Sequence, residues 1–306
     1  MATKPLSFYI HVPYCVKRCG YCDFNTYTPS ELNSDLTGVS LGYIDQLIKE
    51  VDIAKKRVSN EISTIFIGGG TPTLLEAKDF ARLLKKLEET FGFKSNIEIT
   101  IEANPDSVNF DKLKELRETG INRISFGMQS AVPHVLKVLD RTHNPENVAK
   151  AVNDAKAAGF SEINLDLIYG TPTESIEDWQ KSIAKRKEFE MPDDGQTADK
   201  YLLLDEELTK NGFNWYELSN WAKPGSECQH NIAYWKGHNW WGLGPGSHSH
   251  IDGERFWNVK HPNTYKTALE TGEQIAGNEI LTESEKESER VMLEIRLPAG
   301  IKKDSL

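Results

Sequence analysis

The sequence has no long hydrophobic run, only four cysteines and a shortage of positive charge. No apolar stretch approaches the roughly 18 residues that a membrane span requires, and the N-terminal MATKPLSFYIHVPYC lacks the apolar core of a signal peptide. Lys and Arg number 36 against 46 Asp and Glu, and the net charge of −10 argues against the basic surface that sequence-independent nucleic-acid binding needs. We therefore expect a cytoplasmic protein with no nucleic-acid partner and at most peripheral membrane contact.

Short β-rich runs alternate with longer segments whose apolar residues recur at helical spacing. The predicted strands are Phe8–Val12, Thr64–Ile67, Glu98–Glu102, Arg123–Gly127 and Glu162–Leu167. The predicted helices between them are Gly42–Arg57, Leu75–Thr90, Asp111–Thr119 and Pro145–Ala158. Repeated strand–helix alternation predicts an α/β fold with a parallel sheet, either open or closed into a full or partial barrel.

The pattern changes after Leu167. Two predicted helices, Ser175–Glu190 and Asp193–Asn211, follow each other with no strand between them. Six of the seven tryptophans then fall between Trp215 and Trp257, and a charged amphipathic helix is predicted over Leu281–Arg296. We expect this second half to form a C-terminal α+β extension.

Three of the four cysteines, Cys15, Cys19 and Cys22, are crowded into the segment CVKRCGYC. In a large acidic chain such crowding favours metal binding over disulfides. Three thiolates can hold a cubane iron–sulfur cluster and leave one iron open, whereas a structural zinc site would need a fourth ligand such as Cys228 or His11. The triad follows the first predicted strand, and sites of parallel α/β barrels gather at the carboxyl ends of strands.

The segment YIHVPYCVKRCGYCDF resembles the signature of the radical S-adenosylmethionine (SAM) family. The resemblance is strongest to the branch that holds oxygen-independent coproporphyrinogen III oxidase and the heme chaperone HemW, and it extends along residues 7–179 and 193–300. It implies a partial (β/α)6 barrel, a [4Fe–4S] cluster on the three cysteines and SAM bound at the open iron.

Polar residues and glycines recur at the later strand ends, where ligand-binding groups are expected. GGGTP at 68–72 removes three side chains, Glu102 ends the third strand, Gln129 follows the fourth, and Asp166 lies in the otherwise apolar fifth strand. Arg141, in the segment LDRTH, could bind a carboxylate through two hydrogen bonds. Structural alternatives exist: a tight turn for the glycines, buried structural carboxylates for Glu102 and Asp166, and a solvated charge for Arg141. Their order along successive strand ends favours a ligand site.

The resemblance assigns roles to individual positions. Tyr9 and Tyr21 would flank the cluster, and Gly69, Gly70 and Thr71 would line the methionyl end of SAM. The remaining SAM contacts would be Glu102, Gln129, Arg141 and Asp166.

Three features favour the chaperone over the oxidase. Phe24 stands where the oxidase pattern has a fourth cysteine, and only fourteen residues precede Cys15. The segment HNIAYW, beginning at His230, matches a motif of the chaperone branch and makes His230 a candidate heme ligand; Cys228 is a second possible one, and a packed aromatic lid is the structural alternative. We expect a protein that delivers heme to hemoproteins and draws on an electron donor for its cluster. Whether SAM is cleaved stays open.

The chain also departs from the family pattern. Gln180–Met191 is too short for the strand, helix and loop that relatives place there, so the sixth barrel strand is expected to be missing. We predict a barrel over residues 1–190 and a C-terminal region over 191–306 that covers the barrel mouth and is shorter than in relatives.

Overall fold

The computed structural model of the protein describes residues 4–35, 42–141, 143–184 and 194–303. Strands and helices alternate through its first half, as predicted. They are β1 (Leu6–Val12), α1 (Tyr43–Ala54), β2 (Ile62–Gly69), α2 (Ala77–Phe91), β3 (Phe93–Ala103), α3 (Phe110–Glu118), β4 (Arg123–Gln129), α4 (Pro133–Val138), α5 (Pro145–Ala157) and β5 (Glu162–Leu167).

The second half contains shorter strands and fewer long helices. Its elements are α6 (Ile176–Ala184), α7 (Asp194–Lys210), β6 (Asn214–Glu217), β7 (Asn220–Ala222), α8 (Gln229–Trp235), β8 (Asn239–Leu243), β9 (His248–Ile251), β10 (Glu254–Asn258), α9 (Pro262–Thr271), β11 (Ile275–Ile280) and α10 (Glu283–Glu294). The end of the predicted helix Ser175–Glu190 lies outside the described residues. None of the helices in the described ranges has the length and apolar character needed to cross a bilayer.

Nine strands form one sheet in the order β11-β10-β9-β8-β1-β2-β3-β4-β5. The strands from β8 to β5 in this order run parallel, whereas β9, β10 and β11 are antiparallel additions. The predicted α/β class with a parallel sheet is confirmed. β8 joins the free side of β1, so strands from both halves of the chain share the sheet, and the division near residue 190 stays a prediction.

The fifth strand is the edge of this sheet. Between β5 and β6 the structure describes two helices. Most of Gln180–Met191, the segment behind the expected loss of a sixth barrel strand, lies outside the described residues, so that loss stays a prediction. β6 and β7 pair only with each other, as a separate two-stranded sheet.

The two faces of the sheet have different surroundings. On one face the apolar residues Phe8 and Ile10 of β1 and Ile65 of β2 pack in the main core with the helices α1 and α2. On the other face the alternate positions carry polar or aromatic side chains, including Tyr9, His11 and Phe66. We call this second face the cavity face, because Phe66 lines a cavity there.

Candidate functional site

One cavity of about 800 Å³ lies at the carboxyl ends of the parallel strands. All but two of the residues predicted for the site line it: Cys15, Cys19, Tyr21, Cys22, Gly69, Gly70, Thr71, Glu102, Gln129, Arg141 and Asp166. Tyr9 and His230 are not among its lining residues. Side chains from five segments separated in sequence therefore meet at one place, as the order of the strand ends predicted.

The loop that follows β1 presents the three cysteines to the cavity. It is closed at its base by backbone hydrogen bonds from the Cys15 N–H to the Tyr27 carbonyl at 3.1 Å and from the Tyr27 N–H to the Pro13 carbonyl at 2.7 Å. Cys19 and Cys22 are joined by a tight turn, in which the Cys22 N–H donates to the Cys19 carbonyl at 3.1 Å. Cys15 is buried, while Cys19 and Cys22 are half-buried.

Neighbouring polar groups touch two of the three thiols. The Arg141 guanidinium donates to Cys19 Sγ at 3.5 Å, and Thr71 Oγ1 donates to Cys15 Sγ at 3.9 Å. Burial raises the pKa of the Cys15 thiol, and the charges of Cys22 and Cys19 raise it further. A metal centre that takes all three as thiolates would remove this penalty, because a bound cation stabilises the deprotonated form.

The zinc alternative needs a fourth ligand beside the three cysteines. No three His, Cys, Asp or Glu side chains in the described residues converge on one point that a single metal ion could occupy. The two possible fourth ligands are engaged elsewhere: both His11 ring nitrogens have partners, Tyr9 OH at 3.1 Å and the Asn25 carbonyl at 2.8 Å, and Cys228 Sγ lies 3.5 Å from Glu98 Oε1. A cubane cluster with three cysteine ligands takes each thiolate on a different iron and needs neither of these residues.

The glycine run after β2 makes room for the protein's own chain. Gly69 has φ of 111°, and a Cβ on it would lie 2.6 Å from the His11 ring. A Cβ on Gly70 would lie 2.5 Å from the Tyr14 carbonyl oxygen and 3.0 Å from Cys15 Sγ. The glycines therefore let the cysteine loop pack directly on the end of β2, and they also leave backbone exposed at the cavity wall.

Glu102 is a half-buried carboxyl group whose Oε2 accepts a hydrogen bond from the Gly69 N–H at 3.1 Å. Burial and, secondarily, the charge of Asp166 raise its pKa to about 8. Glu102 is therefore mostly protonated at pH 7 and can donate one hydrogen bond as well as accept others. Such a group suits a vicinal diol, whose hydroxyls both donate and accept.

Asp166 is better satisfied. Its carboxylate accepts from Ser125 Oγ at 3.0 Å and from Asn164 Nδ2 at 2.7 Å. Burial raises its pKa to about 6, while the Ser125 bond, the Arg141 charge and the Asn164 bond oppose the rise. At pH 7 most Asp166 side chains are ionised, so two neighbouring acids in one cavity hold different protonation states.

Gln129 and Arg141 approach the same rim. Gln129 has φ of 62° at an irregularity in the pairing of β4 with β5, so its side chain leaves the regular alternation of the strand. Arg141 donates from one terminal nitrogen to the Gly127 carbonyl at 2.6 Å, and its buried Nε has no partner in the described structure. A carboxylate ligand could satisfy that donor.

The two tyrosines differ in position. Tyr21 lines the cavity beside Cys19, and burial raises its pKa to about 12. Tyr9 lies on the cavity face of β1, where its hydroxyl contacts His11 Nδ1 and its ring stacks on Phe66 with 6.3 Å between centroids. Tyr9 therefore contacts His11 and Phe66, which lines the cavity, but does not line the cavity itself.

His230 is buried, with 1% of its surface exposed, and both of its ring nitrogens have partners. Nδ1 lies 2.8 Å from Thr64 Oγ1 and Nε2 lies 3.0 Å from Tyr234 OH. Burial lowers its pKa to about 3, so the ring is neutral. In this arrangement neither nitrogen is available to a heme iron, and the structure supports the alternative of a packed, hydrogen-bonded residue.

Helix α8 is anchored on the sheet by a carboxylate. Glu98 accepts from the Gln229 N–H at 3.0 Å and from the His230 N–H at 2.9 Å, which satisfies two otherwise unpaired donors at the start of the helix. Arg123 lies 3.9 Å from Glu98 and 3.5 Å from Glu162, so the carboxylates are compensated. Cys228, at the N-cap, lines the cavity floor, where burial raises the pKa of its thiol to about 12.

Sequence reasoning missed several cavity-lining residues. They include Thr100, Ser125 and Asn164. Each lies two positions before another residue that lines the cavity, respectively Glu102, Gly127 and Asp166. Because side chains alternate along a strand, residues two apart share a face, and that period could have found them. Thr100 is 1% exposed and its hydroxyl has no partner in the described structure, so a donor or acceptor is missing at this wall.

Comparison with known proteins gives the class first. The family model for the radical SAM superfamily matches residues 9–185. The solved structure of coproporphyrinogen III oxidase (HemN) from Escherichia coli, described as a radical SAM enzyme, superposes with a TM-score of 0.81 and 25% identity over 96% of this chain and 76% of that one.

Closer sequence relatives carry another name. The heme chaperone HemW of Mycobacterium tuberculosis is 41% identical over 98% of this chain and 84% of its own length. The heme chaperone HemW of Haemophilus influenzae is 36% identical over 85% of this chain and 76% of its own length. The chain therefore belongs to the radical SAM superfamily and, within it, to the HemW family.

The first of these alignments is longer than the chain. It spans 331 positions, which is 25 more than the 306 residues of this chain, so the M. tuberculosis protein has at least that many residues without a counterpart here.

Proposed function

We propose that this protein is a heme chaperone that holds a [4Fe–4S] cluster and SAM and passes heme to recipient hemoproteins. The observation that carries the proposal is the meeting of three cysteines with Glu102, Arg141 and Asp166 in one cavity, in a chain 41% identical to a protein named as a heme chaperone. The name supplies the cargo, and the cavity supplies a place for the cofactors.

The cavity residues divide between the two cofactors. Cys15, Cys19 and Cys22 would hold the cluster, leaving one iron without a protein ligand. The unpaired Arg141 Nε would meet the methionyl carboxylate, the Gly69–Thr71 backbone would lie along the methionyl end, and Glu102 would bond the ribose hydroxyls. Once reduced by an electron donor, a cluster of this kind can supply an electron for the cleavage of SAM.

The residues around these contacts fit the proposed arrangement. Tyr21 lies beside Cys19 on one wall, and Ser125 and Asn164 hold the Asp166 carboxylate in place on another. Glu102 keeps its proton at neutral pH in the ligand-free protein, so no pair of adjacent negative charges opposes the entry of the methionyl carboxylate.

Phe24 separates this proposal from the oxidase alternative. It lines the cavity with 63% of its surface exposed, at the position where the oxidase pattern has a cysteine. A phenyl ring cannot ligate metal or exchange a proton there. We therefore expect no conversion of coproporphyrinogen III under anaerobic conditions.

The test of the proposal is heme binding followed by transfer. Hemin is added to the purified protein, and the heme-loaded protein is then mixed with apomyoglobin as a model recipient. We expect a shifted Soret band on loading and its conversion to the myoglobin spectrum on mixing. An unchanged hemin spectrum, or turnover of coproporphyrinogen III in the parallel anaerobic assay, contradicts the chaperone assignment.

A further inference from the structure

A heme carrier of this kind needs an accessible ligand for iron, and the histidines differ sharply in this respect. Four of them, His11, His230, His250 and His261, use a ring nitrogen in a hydrogen bond, and His134 lies 3.1 Å from Asp178 in an ion pair. His143 is buried and His238 half-buried. His248 is the one exposed histidine whose ring has no hydrogen-bond or ion-pair partner among the described residues.

His248 lies on the cavity face of the sheet. The register pairs Tyr9 of β1 with Phe66 of β2 on one side and with Gly242 of β8 on the other, so these three positions share that face. Trp240, two residues before Gly242, pairs with His250, and His248 is two residues before His250. Two strand spacings separate β9 from β1, so His248 lies roughly 10 Å across the sheet from the Tyr9 position.

An aromatic wall stands beside the imidazole. Trp257 is the cross-strand partner of His248, and the two rings stack with 5.6 Å between centroids and 25° between planes. The indole leans over Gly277 of β11, where a Cβ would lie 2.6 Å from it. The ring therefore occupies the space that a side chain at Gly277 would take, and its outer surface is half-exposed.

The electrostatic setting keeps the imidazole neutral. Partial burial lowers the pKa of His248, and the charge of Lys260 lowers it further. A neutral imidazole is the form that ligates iron, and a lysine ammonium nearby can pair with a propionate.

We propose that His248 is the axial ligand of heme, bound on the cavity face beside Trp257 with a propionate directed to Lys260. The proposal rests on the proposed heme-chaperone function and gives it a ligand other than His230. A single ligand on an exposed surface suits a protein that must release its cargo.

The experiment is a hemin titration of the full chain and of four histidine variants (His248→Ala, His248→Gly, His230→Ala and His134→Ala), followed at the Soret band. We expect His248→Ala to weaken hemin binding at least about tenfold and to lose the imidazole-ligated spectrum. His134→Ala, an exposed histidine on α4, should bind as the wild type does. In His248→Gly, added imidazole should restore the ligated spectrum, which loss of folding would not allow.

The outcomes separate the two proposals. If the wild-type protein leaves the hemin spectrum unchanged, the proposed function fails. If wild-type binding survives in His248→Ala but is lost in His230→Ala, only the assignment of His248 is overturned, and the helix α8 must open to expose His230. Binding that survives both substitutions also overturns it.

Discussion

The cavity face of the sheet has two halves that differ in chemistry, and helix α8 lies between them. Over β3 to β5 the face carries carboxyl, hydroxyl and amide groups beside three thiols. Over β8 to β10 it carries two pairs of contacting rings, Trp240 with His250 and His248 with Trp257. The first half is polar, whereas the second has an exposed imidazole and a half-exposed indole at its rim.

The difference follows from how each half is built. Parallel strands direct all their carboxyl ends to one edge, so polar groups from distant segments converge there. The antiparallel strands β9 and β10 instead place cross-strand pairs side by side on an open face. His230, which packs against Phe66 with 5.3 Å between centroids, belongs to the partition between the halves. We infer that the half over β3 to β5 binds the cofactors and that the half over β8 to β10 binds the heme cargo.

The largest expected effect is the loss of the cluster in Cys15→Ala. With two thiolates left, we expect iron and sulfide content to fall to background after anaerobic reconstitution, while hemin binding persists. Cys228→Ser is the matched control and should retain iron, because that thiol lies at the cavity floor beside Glu98. If Cys15→Ala loses hemin binding and iron together, the two halves are not separate sites.

The partition itself is tested by Glu98→Ala. The substitution removes the acceptor for two N–H groups of α8 and one of the two carboxylates near Arg123. We expect the free energy of unfolding to fall by about 2–4 kcal/mol in urea titration. Glu98→Gln keeps one acceptor oxygen and should lose less. A change within about 0.5 kcal/mol for the alanine variant would mean that α8 is held by its ring contacts alone.

The polar half should show its own pH dependence through Glu102. Its pKa is about 8 in the folded protein against 4.5 when unperturbed, so above pH 4.5 the folded state retains a proton that the unfolded state has lost. Its contribution to stability is therefore fully present below pH 4.5 and is lost as the pH rises towards 8.

Glu102→Gln removes that titration. Between pH 7 and 8 the wild type should lose up to about 1 kcal/mol of unfolding free energy relative to the variant. Asp166 and Glu50, with pKa values of about 6 and about 7, are present in both proteins, so their titration cancels in the comparison. Urea titrations at the two pH values check this. Parallel pH profiles for wild type and variant would show that Glu102 is ionised throughout.

The smallest effect is expected for Lys17→Gln. Lys17, in the cysteine loop, lies 2.5 Å from Asp140, but both side chains are about half exposed. We expect less than about 0.5 kcal/mol in stability and unchanged iron content. A large loss of iron would show that this exposed pair positions the loop, which the hydrogen bonds at Cys15 and Tyr27 otherwise explain.

Local sequence patterns predicted the parallel half of the molecule well. The strand ends could be located from the apolar runs, so the meeting of Glu102 and Asp166 was expected from topology. Arg141 follows helix α4, and its place in the site was expected from the family resemblance. The pairing of β8 with β1 could not be predicted, because it joins segments more than 220 residues apart and no local pattern specifies a partner.

The histidines show the same limit. His230 stood out in the sequence through its motif, yet its availability depends on Thr64 and Tyr234, whose contacts only the folded chain reveals. His248 had no distinctive local signal. Its stacking on Trp257 and its exposure arise from the register of β9 and β10.

Electron paramagnetic resonance of the reduced, anaerobically reconstituted protein, recorded with and without SAM, tests the central claim most directly. We predict a [4Fe–4S]⁺ signal whose g-values shift when SAM is added, because three cysteines leave one iron free for it. A colourless protein that contains zinc, or a cluster signal that SAM leaves unchanged, would contradict the account.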